Sequence, residues 1–251
     1  MSVAACAALV ERGDPERFRA AMAAPVAARP VLFALAAVNV EVSRAPWVTQ
    51  EAMIAEMRLQ WWRDALDEIA SGGPVRRHEV VDALADVLDP EGVQAMDGLV
   101  AARRWDIYRD PFEDRGHFDA YLDSTSGSLM WTGARLLGVA DEAVVRNLGW
   151  AAGLAGFLRA IPALEDAGRV PLLDGTPEAV AALARDGLAR LDRARAGRKA
   201  VSVDAAPALL AGWAARPVLA QAAASPARVA KGRLAPGPLR LAQVGLLGWW
   251  R

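Results

Sequence analysis

The residues with the clearest chemical potential are carboxylates and guanidiniums at helical spacing. Asp64 and Asp67 lie three apart, and Asp106 and Asp110 lie four apart. Carboxylates so spaced share one face of a helix, and oxygen ligands of this kind suit magnesium. The first pair sits in Glu56-Met-Arg-Leu-Gln-Trp-Trp-Arg-Asp-Ala-Leu-Asp67, where Glu56, Gln60, Arg63 and Asp67 recur on one face and Leu59, Trp62, Leu66 and Ile69 on another. The simpler account of this stripe is a solvated rim with an Arg63–Asp67 pair, which needs no ligand. Trp61 and Trp62 point about 100° apart on an ideal helix, so at least one belongs to the core.

Other chemistries are narrowed by composition. Cys6 is the single cysteine, so no internal disulfide or Cys-x-x-Cys site exists, and His78 and His117 are too few for a histidine-rich metal site. With 29 Lys and Arg against 30 Asp and Glu, the net charge of -1 gives no ground for a nucleic-acid partner. Past Asp204 there is no acidic residue, while Arg216, Arg228, Lys231, Arg233, Arg240 and Arg251 leave that end positive.

The elements that must position these groups read as helix throughout. Hydrophobic residues make up 54% of the chain, and the mean hydropathy of +0.15 suits an alanine- and leucine-rich helical protein. Helices are expected over 2–11, 30–42, 49–70 with Thr49 as cap, 77–88, 92–108, 118–137, 141–161, 177–196 and 207–224, with a further short one after Asp14-Pro15. Pro162 is expected to end the helix that begins near Asp141. Short loops imply antiparallel neighbours, about eight or nine helices in one domain over 1–251, with 225–251 a candidate docking tail. In that tail Leu246, Trp249 and Trp250 could enter a bilayer interface or cover the chain's own core. No stretch reaches 18 consecutive apolar residues and no signal sequence precedes residue 20, so the expected location is cytoplasmic, with peripheral contact on the inner membrane an option.

Several segments together resemble the squalene/phytoene synthase family, closest to a divergent branch that includes assembly factors for respiratory complex I. They are Phe33 to Arg44, Ala55 to Leu66, Arg104-Trp-Asp-Ile-Tyr-Arg-Asp110, Tyr121 to Leu137, and Gly156-Phe-Leu-Arg-Ala-Ile-Pro162 with Gly168-Arg-Val-Pro171. The most specific is Arg58-Leu-Gln-Trp-Trp-Arg63. The resemblance implies an all-α, single-domain isoprenoid-synthase-like bundle. For a catalytically complete member it implies magnesium held by aspartates on two facing helices, ionising a prenyl diphosphate.

This chain departs from that pattern where the chemistry lies. Ser43, Arg44 and Trp47 stand near the first acidic motif, with Glu41 just upstream. Ala160 and Leu164 replace carboxylates of the second, ahead of Glu165 and Asp166. The resemblance leaves Arg58, Arg159 and Arg169 as candidate anion or substrate contacts, and Glu41, Trp61, Trp62, Asp64, Asp67, Tyr108 and Tyr121 as candidate pocket or polar-rim residues. Gly127 and Gly133 are expected to allow close helix packing. The function implied is a non-canonical synthase-like protein without prenyl condensation, needing no cofactor and partnering an assembly intermediate of respiratory complex I. The alternatives are a magnesium-dependent isoprenoid diphosphate transferase and a prenyl-lipid-binding protein.

Overall fold

The computed structural model describes residues 2–49 and 51–237. The tail expected to dock, from residue 238 onward, lies outside the described residues. The helices are α1 (Ser2–Gly13), α2 (Pro15–Ala23), α3 (Arg29–Arg44), α4 (Ala52–Ser71), α5 (Glu79–Ala85) and α6 (Pro90–Ala102), then α7 (Arg115–Leu122), α8 (Ser128–Leu137), α9 (Glu142–Asp166), α10 (Pro177–Ala196), α11 (Ala215–Ala224) and α12 (Ala227–Ala230). Among the described residues there is no strand, only one isolated antiparallel bridge between Ala140 and Val201. The chain folds as an all-α, single-domain helical bundle.

Local chemistry starts most of these helices. Asp14, Asp89, Asp114, Asp141 and Thr176 each accept a backbone N–H from the first turn that follows, at 2.7–3.3 Å. Pro15, Pro90 and Pro177 occupy first-turn positions where a missing N–H costs nothing. Thr49 differs from expectation. Its hydroxyl accepts from the Glu51 N–H at 3.1 Å, and α4 begins later, at Ala52, without a side-chain cap.

Two buried clusters meet across the bundle. One surrounds α3, with Phe33, Leu35 and Val38 packed among side chains of α1, α4, α5 and α6. The stretch Val26–Arg44 is long and apolar enough to cross a membrane, but more than half of it is buried inside this bundle. The other surrounds α9, where Trp150, Leu154, Leu158 and Ile161 pack against α7, α8, α10 and α11.

Contrary to expectation, α9 runs through Pro162 to Asp166. Proline denies the Leu158 carbonyl its usual N–H partner, yet the flanking Leu158, Ile161 and Leu164 are all buried. That burial holds the helical path. The helix closes at Gly168, whose φ of 76° permits bonds from Arg169 N–H to Leu164 O (3.0 Å) and from Gly168 N–H to Glu165 O (2.8 Å).

Between α7 and α8 the chain forms a π-helical turn, Asp123–Gly127. This turn carries Gly127 against α9. A Cβ added at Gly149 would lie 2.9 Å from Gly127 Cα, and one at Gly153 would lie 2.6 Å from Ser126 Cβ. Backbone therefore presses on backbone, as expected for Gly127. Gly133 likewise faces Leu35 and Ala208 closely.

Candidate functional site

A polar cleft of about 490 Å³ opens where four segments converge. The exit from α3 supplies Pro46, Trp47 and Thr49. The first turns of α4 supply Ala52 and Ala55, the strand of chain after α6 supplies Ile107 and Arg109, and the end of α9 supplies Asp166 to Arg169.

Arg169 is built into the wall of this cleft. Its guanidinium donates to the Tyr108 carbonyl at 2.8 Å and to the Trp105 carbonyl at 3.3 Å, and it also bonds the Asp106 carbonyl. It lies 5.7 Å from the centre of the Trp105 ring. Three carbonyls left free by the 3-10 turn Arg103–Asp106 and its exit are thereby satisfied.

Beneath this turn is a largely buried polar network. The Tyr121 hydroxyl donates to Asp106 Oδ1 at 2.8 Å, and Arg103 donates to Asp106 Oδ2 at 3.0 Å, to the Tyr121 oxygen at 2.9 Å and to Asn39 at 3.4 Å. Burial, with the Asp106 carboxylate alongside, holds the Tyr121 phenol protonated well above its usual range. Trp105 stacks on Phe112 with centroids 4.0 Å apart, and Tyr121 and Phe157 complete an aromatic cluster around them. Trp105 Nε1 and Arg103 Nε are buried without partners among the described residues. Asn39, Arg103 and Phe112 escaped the sequence-level selection, although the Arg104–Asp110 segment pointed to their neighbourhood.

The sequence-selected residues do not gather in one place. Arg159 lies on a separate groove of about 310 Å³ beside α1, α2 and α11, bound to both carboxylate oxygens of Glu16 at 2.9 Å. Arg159 and Arg169 thus serve different clefts. Arg58 is exposed on α4, not buried in the alternative salt bridge, and has no side-chain partner among the described residues. Glu41 is half-buried on α3. Asp64 is exposed and accepts from Gln60 at 2.7 Å; Asp67 is also exposed.

Arg63 corrects another expectation, since both carboxylate oxygens it binds, at 2.6 and 3.0 Å, belong to Asp97 on α6 rather than to Asp67. Trp62 is core at 5% exposure, and half-buried Trp61 meets it edge-on under the Arg76 guanidinium and beside His78. Tyr108 is exposed, while Tyr121 is buried.

The donor set does not suit the magnesium and diphosphate chemistry of complete synthases. Ser43 turns its hydroxyl to the Val40 carbonyl at 3.1 Å, Arg44 is exposed, and Ala160 and Leu164 offer no oxygen ligand. Among the described residues no group of three or more His, Cys, Asp and Glu side chains could hold a metal ion. The apolar crevice between α3, α8 and α9, lined by Leu32, Leu35, Leu129 and Met130, measures about 50 Å³. That is far short of a ligand pocket of about 300 Å³ or more.

The fold matches that of a dehydrosqualene synthase crystal structure with a TM-score of 0.73 at 16% identity, covering 98% of this chain and 94% of that one. It matches the squalene synthase HpnC from Alicyclobacillus acidocaldarius with a TM-score of 0.73 at 15% identity, covering 88% and 92%. These likenesses speak to the fold alone. In sequence, the chain is 31% identical over 166 residues to a "NADH dehydrogenase (ubiquinone) complex I, assembly factor 6 homolog" of Drosophila melanogaster, covering 62% of this chain and 50% of that protein. It is 27% identical over 172 residues to complex I assembly factor 6 of Bos taurus, covering 62% and 48%. The chain therefore matches about half the length of these curated relatives. The squalene/phytoene synthase family model matches residues 10–173, well over half of the chain, across α3, α4, the Arg169 wall and the polar network beneath it: the chain belongs to the squalene/phytoene synthase family.

Proposed function

We propose that this protein has left prenyl condensation behind and acts in the assembly of respiratory complex I, binding an assembly intermediate. The observation that carries the proposal is the conversion of the acidic positions. Side chains at 43, 44, 47, 160 and 164 cannot supply the paired carboxylates that ionise a diphosphate. The relationship to complex I assembly factor 6 proteins supports the same reading.

Arg169 in the cleft wall and the polar network beneath it are engaged in holding the fold. Arg169 binds backbone carbonyls, and Asp106 is shared by Tyr121 and Arg103. Such a centre is rigid and suits a scaffold that presents a surface. The fold thus contributes shape rather than turnover, at the membrane where the complex is built.

The test is deletion of the gene in a host that possesses complex I, followed by measurement of intact complex and of NADH-dependent respiration. The expected result is loss of both, restored by the wild-type chain and also by a variant with Glu51 and Asp166, the cleft carboxylates, changed to Gln and Asn. Normal amounts of active complex in the deletion strain would overturn the proposal.

A further inference from the structure

The sulfur atoms of this chain divide sharply by exposure. Five of its six methionines are among the described residues. Met96 and Met130 belong to the core, and Met22 is 44% exposed on α2. Met53 and Met57 stand out on α4, at 76% and 66% exposed. They lie four apart, so both thioethers share one face of the helix about a turn from each other.

Cys6, the competing nucleophile, is withdrawn. It is buried, its thiol donates to the Glu79 carbonyl at 3.9 Å, and burial pushes its pKa up to about 11. Oxidants attack the thiolate, and at neutral pH Cys6 offers neither that form nor an open approach. The accessible sulfur chemistry of the described residues is therefore concentrated on α4.

This helix can accept polar groups at the two positions without losing its place. Its inner face is held by buried Ala55, Leu59 and Trp62. Glu56 pairs with Arg104 at 3.0 Å, and Arg63 pairs with Asp97 of α6 at 2.6 Å. Farther along the outer face, exposed Gln60 already bonds Asp64 at 2.7 Å. Only the first turns of that face are apolar, beside exposed Trp47, Val48 and Ile54.

We propose that Met53 and Met57 form a paired oxidation site, at which a peroxide converts both thioethers to sulfoxides and turns the outer face of α4 from apolar to polar while the bundle stays folded. The thioether sulfur attacks one peroxide oxygen, the O–O bond breaks, and the departing hydroxide takes the proton from the oxygen now on sulfur and leaves as water. Sulfur gives up an electron pair and the peroxide gains it. A dithiol-dependent methionine sulfoxide reductase reverses the step, releasing the oxygen as water and leaving the thiols as a disulfide. Each added oxygen is a hydrogen-bond acceptor that holds water, so the oxidised face costs more to cover with an apolar surface. The proposal does not rest on an assembly role.

In the test, the full-length protein is treated with dilute hydrogen peroxide, and oxygen uptake at each methionine is followed by peptide mass spectrometry. Met53 and Met57 are expected to oxidise about tenfold faster than Met96 and Met130, with Met22 in between. The thermal melt should stay unchanged. Retention on a phenyl-agarose column should fall, and should recover after treatment with a dithiol and the pair of reductases that act on the two sulfoxide epimers. Met53→Leu combined with Met57→Leu keeps the face apolar but removes its sulfur, so this variant should hold its retention through peroxide treatment. Met53→Gln combined with Met57→Gln should show the lower retention with no peroxide added. Buried methionines oxidising as fast as the exposed pair, a melt that drops in step with oxidation of that pair, or a retention loss that persists in the leucine variant would each overturn the proposal.

Discussion

At the scale of single residues, several ion pairs join segments distant in sequence. Asp89 caps α6 through the Gly92 N–H at 2.8 Å and is clamped by Arg135 of α8, whose Nη1 lies 2.7 Å from Oδ2. The guanidinium holds this carboxyl at about 2, below its ordinary value of 3.8. A carboxyl held low in the folded state adds stability above its unfolded value and loses it as pH falls through the folded one. The contribution of Asp89 is therefore complete above about pH 4 and disappears toward pH 2. Urea midpoints over that range should show Asp89→Asn trailing the wild type at pH 5 or so, with the gap shrinking as acid is added; a gap constant with pH would contradict this assignment. The same residue scale explains what the sequence withheld. Asp89 as a cap is legible from Asp89-Pro90, whereas its bond to Arg135, like Arg63 to Asp97 and Arg159 to Glu16, depends on which helices become neighbours.

Among the elements, the crossing of α9 over the π-helical turn is the contact with least room. Gly153→Ala would drive a methyl group toward Ser126 Cβ, and overpacking of this kind costs about 1–3 kcal/mol. Gly98→Ala is the control, because Gly98 is exposed on α6 with open space around its missing Cβ. It should stabilise by roughly 0.4–1 kcal/mol through the unfolded chain. Opposite signs in urea denaturation would check both, and equal effects would show that the tight crossing is misassigned. Helix starts were readable because Asp, Thr and Pro act within one turn. The continuation of α9 beyond Pro162 was not, because apolar burial on either side of the proline overrides the local preference. The π-helical turn was hidden for a similar reason: residues 118–137 carry one uninterrupted helical pattern, and close packing against Gly149 and Gly153 is a tertiary fact.

For the whole molecule, alanine-rich composition and the absence of lasting two-residue alternation made an all-helical bundle legible, and the ordered anchors from Phe33 to Pro171 made the family legible. The loss of paired acids at 160 and 164 was equally plain. The separation of Arg159 from Arg169 was not, since both flank the same helix end in sequence but face different grooves in space. Calorimetric titration with farnesyl diphosphate should accordingly show no magnesium-dependent binding. Heat that appears only with magnesium would revive a transferase, while magnesium-independent binding lost in Arg169→Gln would instead identify a repurposed anion pocket.

The proline within α9 divides that helix unequally in its capacity to open. Pro162 contributes no amide proton, and the Leu158 carbonyl therefore has no partner one turn later. The segment from Ala163 to Arg169 is consequently joined to the deeper helix by one hydrogen bond fewer than an unbroken ladder would provide. That wall of the cleft is therefore fastened from its side more than through its own ladder, by buried Leu164 and by the bonds of Arg169 to the carbonyls of Trp105, Asp106 and Tyr108.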